Sequence, residues 1–290
     1  LNTAIKQTNS IESVIDMNGL TKENKQLLND FIFLLDLNNE YVGQEESLAK
    51  KLCHRRFGIG ADGLVLVRNS NVADIQMVII NSDGSRANMC GNAIRCFGKY
   101  VYERNIVTKD LISVETGDGI KKLELTITNG IVKGVKVYMG EISFDGLLVP
   151  LKNKSELIDE EINVNGKKYN ATSILVGVPH TVIFVDDENF DVSEGKNIEK
   201  YELFEQGTNV NFVKVVDDEN IIVKTWERGA GATYSCGTGC SASVVVSNKL
   251  NLKKKKVNVK VPGGDLRIEI EGNSIYMIGD ASFICDGRAY

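Results

Sequence analysis

Short apolar segments, separated by polar turns that contain Gly, Asn or Asp, recur along most of the chain. Apolar segments of this length, alternating or continuous, predict β-strands. We predict strands at residues 13–18, 29–36, 64–67, 74–80, 111–115, 121–127, 131–139, 149–151, 161–164, 174–176, 182–185, 209–215, 221–226, 257–261, 266–270 and 274–278. Asn129-Gly130 predicts a hairpin turn between two of these strands. The pattern favours a strand-dominated fold.

Helical spacing of apolar residues appears in only a few places. We predict helices at residues 45–56, from Cys90 to about residue 103, at residues 194–205, and after Cys236. The helix after Cys90 is amphipathic in pattern, whereas the one after Cys236 contains small residues that suit a buried helix. The layout therefore predicts one long helix in each half of the chain, packed against a curved sheet.

Two glycine-containing loops each end in a Cys-Gly pair that is followed by an apolar run. The first pair is Cys90 and Gly91, and the second is Cys236 and Gly237. The two cysteines lie about half the chain length apart. In each half a helix and strands precede the loop, and a helix and three strands follow it. This repetition indicates a duplicated domain with one site between the copies.

A thiol at the start of a helix lies among unpaired backbone N–H groups at the positive end of the helix dipole. That environment stabilises a thiolate and also holds an anion such as a carboxylate. Two cysteines from facing domains can act on one carbon, because one removes a proton while the other supplies a proton from the opposite face. Helix amides would stabilise the charge that develops on the carboxylate. Cys90 and Cys236 therefore indicate inversion of an amino acid α-carbon without a cofactor.

Composition narrows the class of protein. The 290 residues suffice for two domains, and the net charge of −5 argues against nucleic acid as a partner. No apolar run reaches the roughly 18 residues of a membrane span, and residues 1–10 lack the apolar core of a signal peptide. Six cysteines without a CxxC pair, and two histidines, do not suit a disulfide scaffold or a zinc site. We expect a cytoplasmic protein that binds a small molecule and no metal. Whether it forms a homodimer is left open.

Other interpretations of these residues remain. Four cysteines are expected to be buried apolar residues of the core: Cys53, Cys96, Cys240 and Cys285. Cys90 and Cys236 could instead form a disulfide, or one of them could be the nucleophile of a hydrolase. In a hydrolase His180, expected at a turn, would be the base, since His54 lies in a predicted helix. The glycines between residues 58 and 63 fit a dinucleotide-binding motif by letter, but a helix precedes them and a strand follows, which is the wrong context.

Six short motifs stand out from about Asn29 onward. They are Phe57-Gly-Ile-Gly-Ala-Asp-Gly-Leu, Asn81-Ser-Asp-Gly-Ser, Met89-Cys-Gly-Asn, Pro179-His-Thr-Val-Ile-Phe-Val, Gly207-Thr-Asn-Val-Asn-Phe-Val and Glu227-Arg-Gly-Ala-Gly-Ala-Thr-Tyr-Ser-Cys-Gly-Thr-Gly-Cys. Together they resemble the diaminopimelate epimerases, a family of pyridoxal-phosphate-independent racemases. The resemblance covers most of the chain.

The resemblance implies an α/β (α+β) fold of two similar, pseudo-symmetric domains. Each would be a curved, antiparallel-rich sheet or barrel around a central helix, with the active site in the cleft between the domains. Because the last strand of the family returns to the first domain, that domain would comprise residues 1–118 and 279–290. The second domain would comprise residues 119–278.

The resemblance also implies roles for individual residues. Cys90 and Cys236 would be the two bases, which exchange roles with the direction of reaction. The α-carboxylate would be held by the backbone amides of Gly91, Asn92, Gly237 and Thr238. The far end of the substrate would be held by Asn29, Asn81, Asn209 and Arg228 at its carboxylate and by Glu227 at its amine. His180 and Glu227 would tune the pKa values of the cysteines.

Three positions depart from the family pattern. Val178 replaces an asparagine that helps to bind the distal end of the substrate, Leu28 replaces a glycine, and Ala232 stands where glutamate is common. Residues 21–28 look inserted. The resemblance implies an isomerase of lysine biosynthesis that interconverts LL- and meso-diaminopimelate. The alternatives are a racemase of the same mechanism for another amino acid, such as histidine or lanthionine, and a binding protein without catalysis.

Overall fold

The computed structural model describes residues 11–16, 29–252 and 254–287, with the backbone alone for residues 11–16. The predictions for residues 1–10 and for the segment 21–28 lie outside the described residues. No helix in the described part of the chain is long and apolar enough to cross a membrane.

Eighteen strands and four α-helices make up the described chain. The strands are β1 Ile11–Asp16, β2 Asn29–Leu35, β3 Gly63–Arg68, β4 Ile75–Asn81, β5 Arg86–Ala87, β6 Leu111–Thr116, β7 Gly119–Thr128, β8 Ile131–Glu141, β9 Glu160–Val164, β10 Lys167–Val176, β11 Val178–Phe184, β12 Asn209–Val215, β13 Asn220–Glu227, β14 Gly231–Thr233, β15 Lys256–Val261, β16 Gly264–Glu271, β17 Ser274–Gly279 and β18 Ser282–Gly287. The helices are α1 Glu45–Leu52, α2 Gly91–Glu103, α3 Gly195–Glu199 and α4 Gly237–Lys249.

The described residues form two compact units. The first contains residues 11–16, 29–135 and 280–287, and the second contains residues 136–252 and 254–279. The domain boundary expected after residue 118 falls in the turn between β6 and β7. These two strands form an antiparallel pair from Leu111↔Glu124 to Thr116↔Gly119, so their hydrogen bonds keep β7 with the first unit.

The first unit is one mixed sheet around α2. β1 pairs antiparallel with β18 and β2, β2 lies parallel to β3, and β3 is antiparallel to β4. β4 then lies parallel to β6, which is antiparallel to β7. The helices α1 and α2 lie in the two connections between parallel strands, as parallel pairing requires. α2 packs against strands from across this sheet, β1, β2, β4 and β7.

The second unit repeats this order of elements. β10 pairs antiparallel with β11, β11 lies parallel to β12, and β12 is antiparallel to β13. β13 lies parallel to β15, and β15, β16 and β17 form an antiparallel meander. Here α3 and α4 occupy the connections that α1 and α2 occupy in the first unit. The duplicated, antiparallel-rich architecture with a central helix in each copy is confirmed.

Both central helices are buried on all sides. In α2 every residue from Asn92 to Val101 is buried, so the polar positions of its amphipathic pattern are buried as well. In α4 every residue from Gly239 to Ser247 is buried. Its serines are accommodated because each hydroxyl donates to the carbonyl four residues earlier: Ser241 to Gly237, Ser243 to Gly239 and Ser247 to Ser243.

The helix predicted at residues 45–56 ends at Leu52. The backbone N–H groups of Ile59 and Gly60 both donate to the carbonyl of Leu52, at 2.9 and 3.0 Å. The chain therefore folds back on the helix end, and a loop replaces the last predicted turn.

Two other predictions are wrong. Residues 149–151 form no strand, and a single bridge joins Leu151 to Phe204. Residues 194–205 form only a 3₁₀ turn, Val192–Glu194, and the short α3. Beyond Glu199 the chain leaves the helix, since the carbonyl of Glu199 accepts from Thr208 N at 3.2 Å.

Candidate active site

Cys90 is the residue immediately before α2. Its backbone is extended, with φ −145° and ψ 121°, and its side chain is partly exposed. The carbonyl of Cys90 accepts from Ile94 N at 3.0 Å, which closes the first helical turn. Gly91 and Asn92 are therefore the first two helical residues, where backbone N–H groups have no partner within the helix. The predicted cysteine at a helix N-terminus is present in the first unit.

Asn29, predicted to bind the substrate, is joined directly to Asn92. The side-chain nitrogen of Asn92 donates to Asn29 Oδ1, and Asn29 Nδ2 donates to Asp62 Oδ2 at 3.0 Å. Asn81 ends β4 opposite Gly63, the residue after Asp62, and its exposed side chain donates to Ser85 Oγ at 2.9 Å. The strands β2 and β4, the helix α2 and the loop at Asp62 thus bring Asn29, Asn81 and Asn92 to one region of the first unit.

Cys236 occupies the corresponding position in the second unit. It precedes α4 with an extended backbone, φ −126° and ψ 108°. Gly239 N donates to its sulfur at 3.4 Å, and Thr238 Oγ1 lies 3.4 Å from the same sulfur. Unlike Cys90, Cys236 is buried, with 8% of its surface exposed. Gly237 and Thr238 form the first turn of α4.

The ionisation expected for Cys236 is wrong for this buried thiol. Burial, and after it the adjacent carboxylate of Glu227, raise the pKa of this thiol from the ordinary 9.0 to about 12. The hydrogen bonds from Thr238 and Gly239 act in the opposite direction but are smaller. The helix N-terminus alone predicted a stabilised thiolate, whereas desolvation dominates in the folded protein. Cys236 is a thiol within hydrogen-bond reach of Glu227 in this structure.

Replacing Glu227 with glutamine is expected to lower the pKa of Cys236, because an anion beside the thiol is removed. Alkylation of Cys236 by iodoacetamide at pH 8 should then be several times faster, since only the thiolate reacts. Mass spectrometry of the alkylated peptide measures the rate, with Cys285 as the internal control. This cysteine is exposed on β18, so the prediction that it belongs to the core is wrong. An unchanged rate at Cys236 would show that the Glu227 carboxylate does not govern this thiol.

The same raised pKa predicts how stability depends on pH. The folded pKa of Cys236 lies above the unfolded value, so its contribution to stability is complete below pH 9.0. That contribution is lost as the pH rises toward about 12.

Asn209 and Arg228 meet beside the end of β13. Asn209 is buried, its Nδ2 donates to the carbonyl of Pro179 at 2.8 Å, and its Oδ1 accepts from Arg228 N at 2.9 Å. Arg228 is exposed, and its Nη1 donates to the carbonyl of Gln206 at 2.8 Å. Both residues lie next to Glu227 in the second unit, so the structure brings these three predicted residues together.

His180 does not lie at a turn. It is a fully buried residue of β11, and its Nδ1 lies 3.1 Å from Asn211 Nδ2. Asn211 Nδ2 also lies 3.5 Å from the carbonyl oxygen of Thr181. Since a carbonyl oxygen only accepts, Nδ2 is the donor in this contact. Nδ1 of His180 is therefore an acceptor, and the proton of the neutral ring is on Nε2. Burial lowers the pKa of His180 to about 3, and the cation of Arg228 adds to this shift.

The environment of His180 weakens the hydrolase interpretation. A base for a cysteine nucleophile must accept a proton near neutral pH. A buried imidazole with a pKa of about 3 accepts one only in strong acid.

Sequence analysis missed two residues that support the Cys236 loop. Asn211 Oδ1 accepts from Thr225 Oγ1 at 3.0 Å, and both residues are buried beneath Gly239. Glu199 accepts from Trp226 Nε1 at 2.8 Å and from Gly229 N at 3.3 Å, so it holds both ends of the Glu227-Arg228 segment. The one available signal was the polar side chain of Asn211 in the middle of an apolar strand. No local sequence pattern indicated a role for Glu199.

Val178 lies beside the start of α4. It pairs with Val176 across Gly177, whose φ is +70°. A side-chain carbon at Gly177 would lie 3.9 Å from the methyl group of Thr238. Val178 itself is 39% exposed, so an apolar side chain faces solvent near the Cys236 loop. Ala232, the other departure in this unit, is an exposed residue of β14 opposite Trp226.

The fold is shared with solved structures of low sequence identity. A PhzF-family phenazine biosynthesis protein from Bacillus anthracis superposes with a TM-score of 0.66 at 12% identity, over 97% of this chain and 99% of that one. The hydroxyproline epimerase of Agrobacterium vitis gives a TM-score of 0.63 at 14% identity, over 98% of this chain and 92% of that one. The architecture is thus the two-domain fold of the PhzF-like proteins and epimerases.

Sequence comparison identifies the family within this class. A family model for diaminopimelate epimerase matches residues 26–144 and 172–284. The diaminopimelate epimerase of Clostridium perfringens is 56% identical over 259 residues, which cover 89% of this chain and 95% of that protein. The chain therefore belongs to the diaminopimelate epimerase family and is an isomerase of the epimerase class.

Proposed function

We propose that this protein interconverts LL- and meso-diaminopimelate by proton transfer between two cysteines, without a cofactor. One observation carries the proposal. Each unit places a cysteine, Cys90 or Cys236, immediately before a central buried helix, at the same point in a repeated order of elements. The family to which the chain belongs supports the choice of substrate.

The proposed reaction transfers one proton off the α-carbon and another onto it. The thiolate of one cysteine takes the α-hydrogen, so that a C–H bond breaks and an S–H bond forms. The electron pair left on carbon then takes the proton of the other thiol from the opposite face, which leaves that cysteine as the thiolate. We assign Cys236 as the donor and Cys90 as the base in one direction, which the raised pKa of Cys236 supports. The roles exchange in the reverse direction.

In the reverse direction Cys236 must lose its proton. Glu227 lies within hydrogen-bond reach of this thiol, and its carboxylate contributes to the raised pKa of Cys236. We assign Glu227, beside this thiol, and the buried His180, which contacts Asn211 beneath Gly239, to tune the pKa values of the cysteine pair.

The substrate carboxylates are assigned to separate groups. The first amides of α2 and α4, from Gly91, Asn92, Gly237 and Thr238, would hold the α-carboxylate, where charge grows during the reaction. The distal carboxylate would contact Arg228, Asn29, Asn81 and Asn209. Glu227 would also bind the distal ammonium group.

We further propose that the protein acts in the cytoplasm on this small molecule and without nucleic acid. Six cysteines in 290 residues, without a CxxC pair, are too sparse for a disulfide scaffold, which suits a reducing compartment. A homodimer remains part of the proposal, and light scattering of the purified protein measures the assembly state.

Turnover in deuterated water tests the substrate. We expect α-hydrogen exchange and inversion with LL- and meso-diaminopimelate, and little exchange with histidine or lanthionine. Val178→Asn is expected to lower the KM for diaminopimelate about threefold to tenfold, the range for one added hydrogen bond. Strong exchange with histidine and none with diaminopimelate would overturn the proposed substrate.

A racemase for another amino acid is the second candidate. The exposed apolar side chain of Val178 near Thr238 favours it, because a valine there offers no hydrogen bond to a polar distal group. Under this candidate Val178→Asn would weaken turnover of the true substrate.

A further inference from the structure

Four side chains of the first unit form a directed chain of hydrogen bonds. Arg95 Nη2 donates to Asn92 Oδ1 at 3.0 Å, and Asn92 Nδ2 donates to Asn29 Oδ1. Asn29 Nδ2 then donates to Asp62 Oδ2 at 3.0 Å. This amide relay, as we name the four residues, connects the interior of α2 to the loop before β3.

Charged groups at the two ends fix the direction of the relay. A guanidinium group has donors only, and an ionised carboxylate has acceptors only. Arg95 therefore requires the oxygen of Asn92 to face it, and Asp62 requires the nitrogen of Asn29. Neither amide can turn over without bringing two donors or two acceptors together, which is unfavourable in a partly buried site.

Both ends are held in place by further contacts. Arg95 is fully buried, and its Nη1 donates to the carbonyl of Gly91 at 3.2 Å. Asp62 Oδ1 forms an ion pair with Arg55 at 2.7 Å, and Arg55 also binds both oxygens of Asp30. The end groups are thus anchored independently of the two asparagines.

The position of Arg95 is unfavourable for the helix itself. It lies in the second turn of α2, close to the positive end of the helix dipole, and a buried cation loses its hydration. Burial raises the pKa of nearby Asp280, and the charge of Arg95 opposes that shift.

We infer that Arg95 and Asp62 are positioning residues that together orient the side-chain N–H groups of Asn92 and Asn29 toward the carboxylate groups of the substrate. Each amide nitrogen carries two hydrogens, and the relay uses one of them. The second hydrogen is then available to an anion. This inference rests on the proposed function, since a carboxylate substrate is what these donors suit.

A double-mutant cycle tests the inference, because either charged end, Arg95 or Asp62, is by itself sufficient to fix the orientation of both amides. Arg95→Gln and Asp62→Asn each replace an end with an amide that can donate or accept. We expect each single variant to lower kcat/KM for diaminopimelate about threefold, and the double variant about a hundredfold, mainly through KM. Residues with a merely structural role would give the product of the single effects, and that result would overturn the inference.

Two controls accompany the cycle. Arg95→Lys keeps a cationic donor and should show no coupling to Asp62→Asn. Asp74→Asn removes another ion-paired carboxylate of the same unit, bound to Lys109 at 2.6 Å, and should leave KM unchanged. Wild-type protein that does not turn over diaminopimelate would refute the proposed function; normal wild-type turnover with multiplicative effects refutes only the inference.

A thermal measurement covers the case in which Arg95→Gln does not fold. Asn29→Asp places a carboxylate against Asp62 and should lower Tm. Adding Asp62→Asn should raise Tm again, because the new asparagine can donate to the new aspartate. If the second substitution lowers Tm further, the relay does not have the direction inferred here.

Discussion

Replacing Cys90 or Cys236 with alanine is expected to abolish epimerisation, with a loss in kcat of at least about 10³-fold. Each cysteine supplies one of two proton transfers, and a missing general acid or base alone costs about 10² to 10⁴ in rate. The other thiols of these helices, Cys96 in α2 and Cys240 in α4, are fully buried within them and are not expected to replace the missing group. The assay is the change in optical rotation as LL-diaminopimelate converts to the meso form.

Isotope exchange separates the two steps. Each variant keeps one cysteine, and that cysteine faces the α-hydrogen of only one of the two epimers. In deuterated water, the variant should exchange the α-hydrogen of that epimer without inverting the carbon. Cys90→Ala and Cys236→Ala should therefore exchange opposite epimers. Cys285→Ala, at an exposed cysteine of β18, is the matched control and should keep full activity. Full inversion by either active-site variant would falsify the two-base scheme.

Gly239→Ala is expected to lower kcat/KM about a hundredfold and to destabilise the fold by about 1–3 kcal/mol, as overpacking of a buried site does. A side-chain carbon at Gly239 would lie 2.3 Å from Asn211 Oδ1 and 3.3 Å from Cys236 Cβ. Asn211 cannot retreat without losing its bonds to Thr225 and His180. The substitution must therefore move the start of α4, and with it the sulfur that Gly239 N contacts.

Thermal unfolding and steady-state kinetics measure this effect. Gly134→Ala is the control, since a side-chain carbon there would come no closer than 3.8 Å to a neighbour, Thr126. We expect near-native Tm and activity for that variant. Native activity in Gly239→Ala would mean that α4 tolerates a shift against the packing beneath it, and the assignment of Asn211 as a support would fail.

The prediction of the fold succeeded where the signals were local. Alternating apolar residues and the Asn129-Gly130 turn identify β7 and β8 without knowledge of the rest of the chain. The two Cys-Gly pairs identify the starts of α2 and α4 for the same reason. The failures at residues 149–151 and 194–205 occur where the chain follows contacts with distant segments, as Glu199 does with Thr208.

The candidate site shows the same division. Adjacent residues and the resemblance to a family indicated the chemical roles of four residues, Cys90, Cys236, Glu227 and Arg228. The side chains that hold these residues in place could not be predicted in this way. Asn211 contacts His180 from a position 31 residues away, and Asn92 contacts Asn29 from 63 residues away. No local pattern encodes such pairs.

By itself, the sequence determined the duplication of the chain, the order of its strands and the two cysteines that begin the central helices. These features depend on residue type and on spacings within a single turn or strand. Only the tertiary structure decided that Cys236 is a buried thiol, that His180 is a buried neutral side chain, and that the amides of Asn29 and Asn92 have a fixed direction. Burial and hydrogen-bond polarity depend on which distant groups meet, and folding alone brings those groups together.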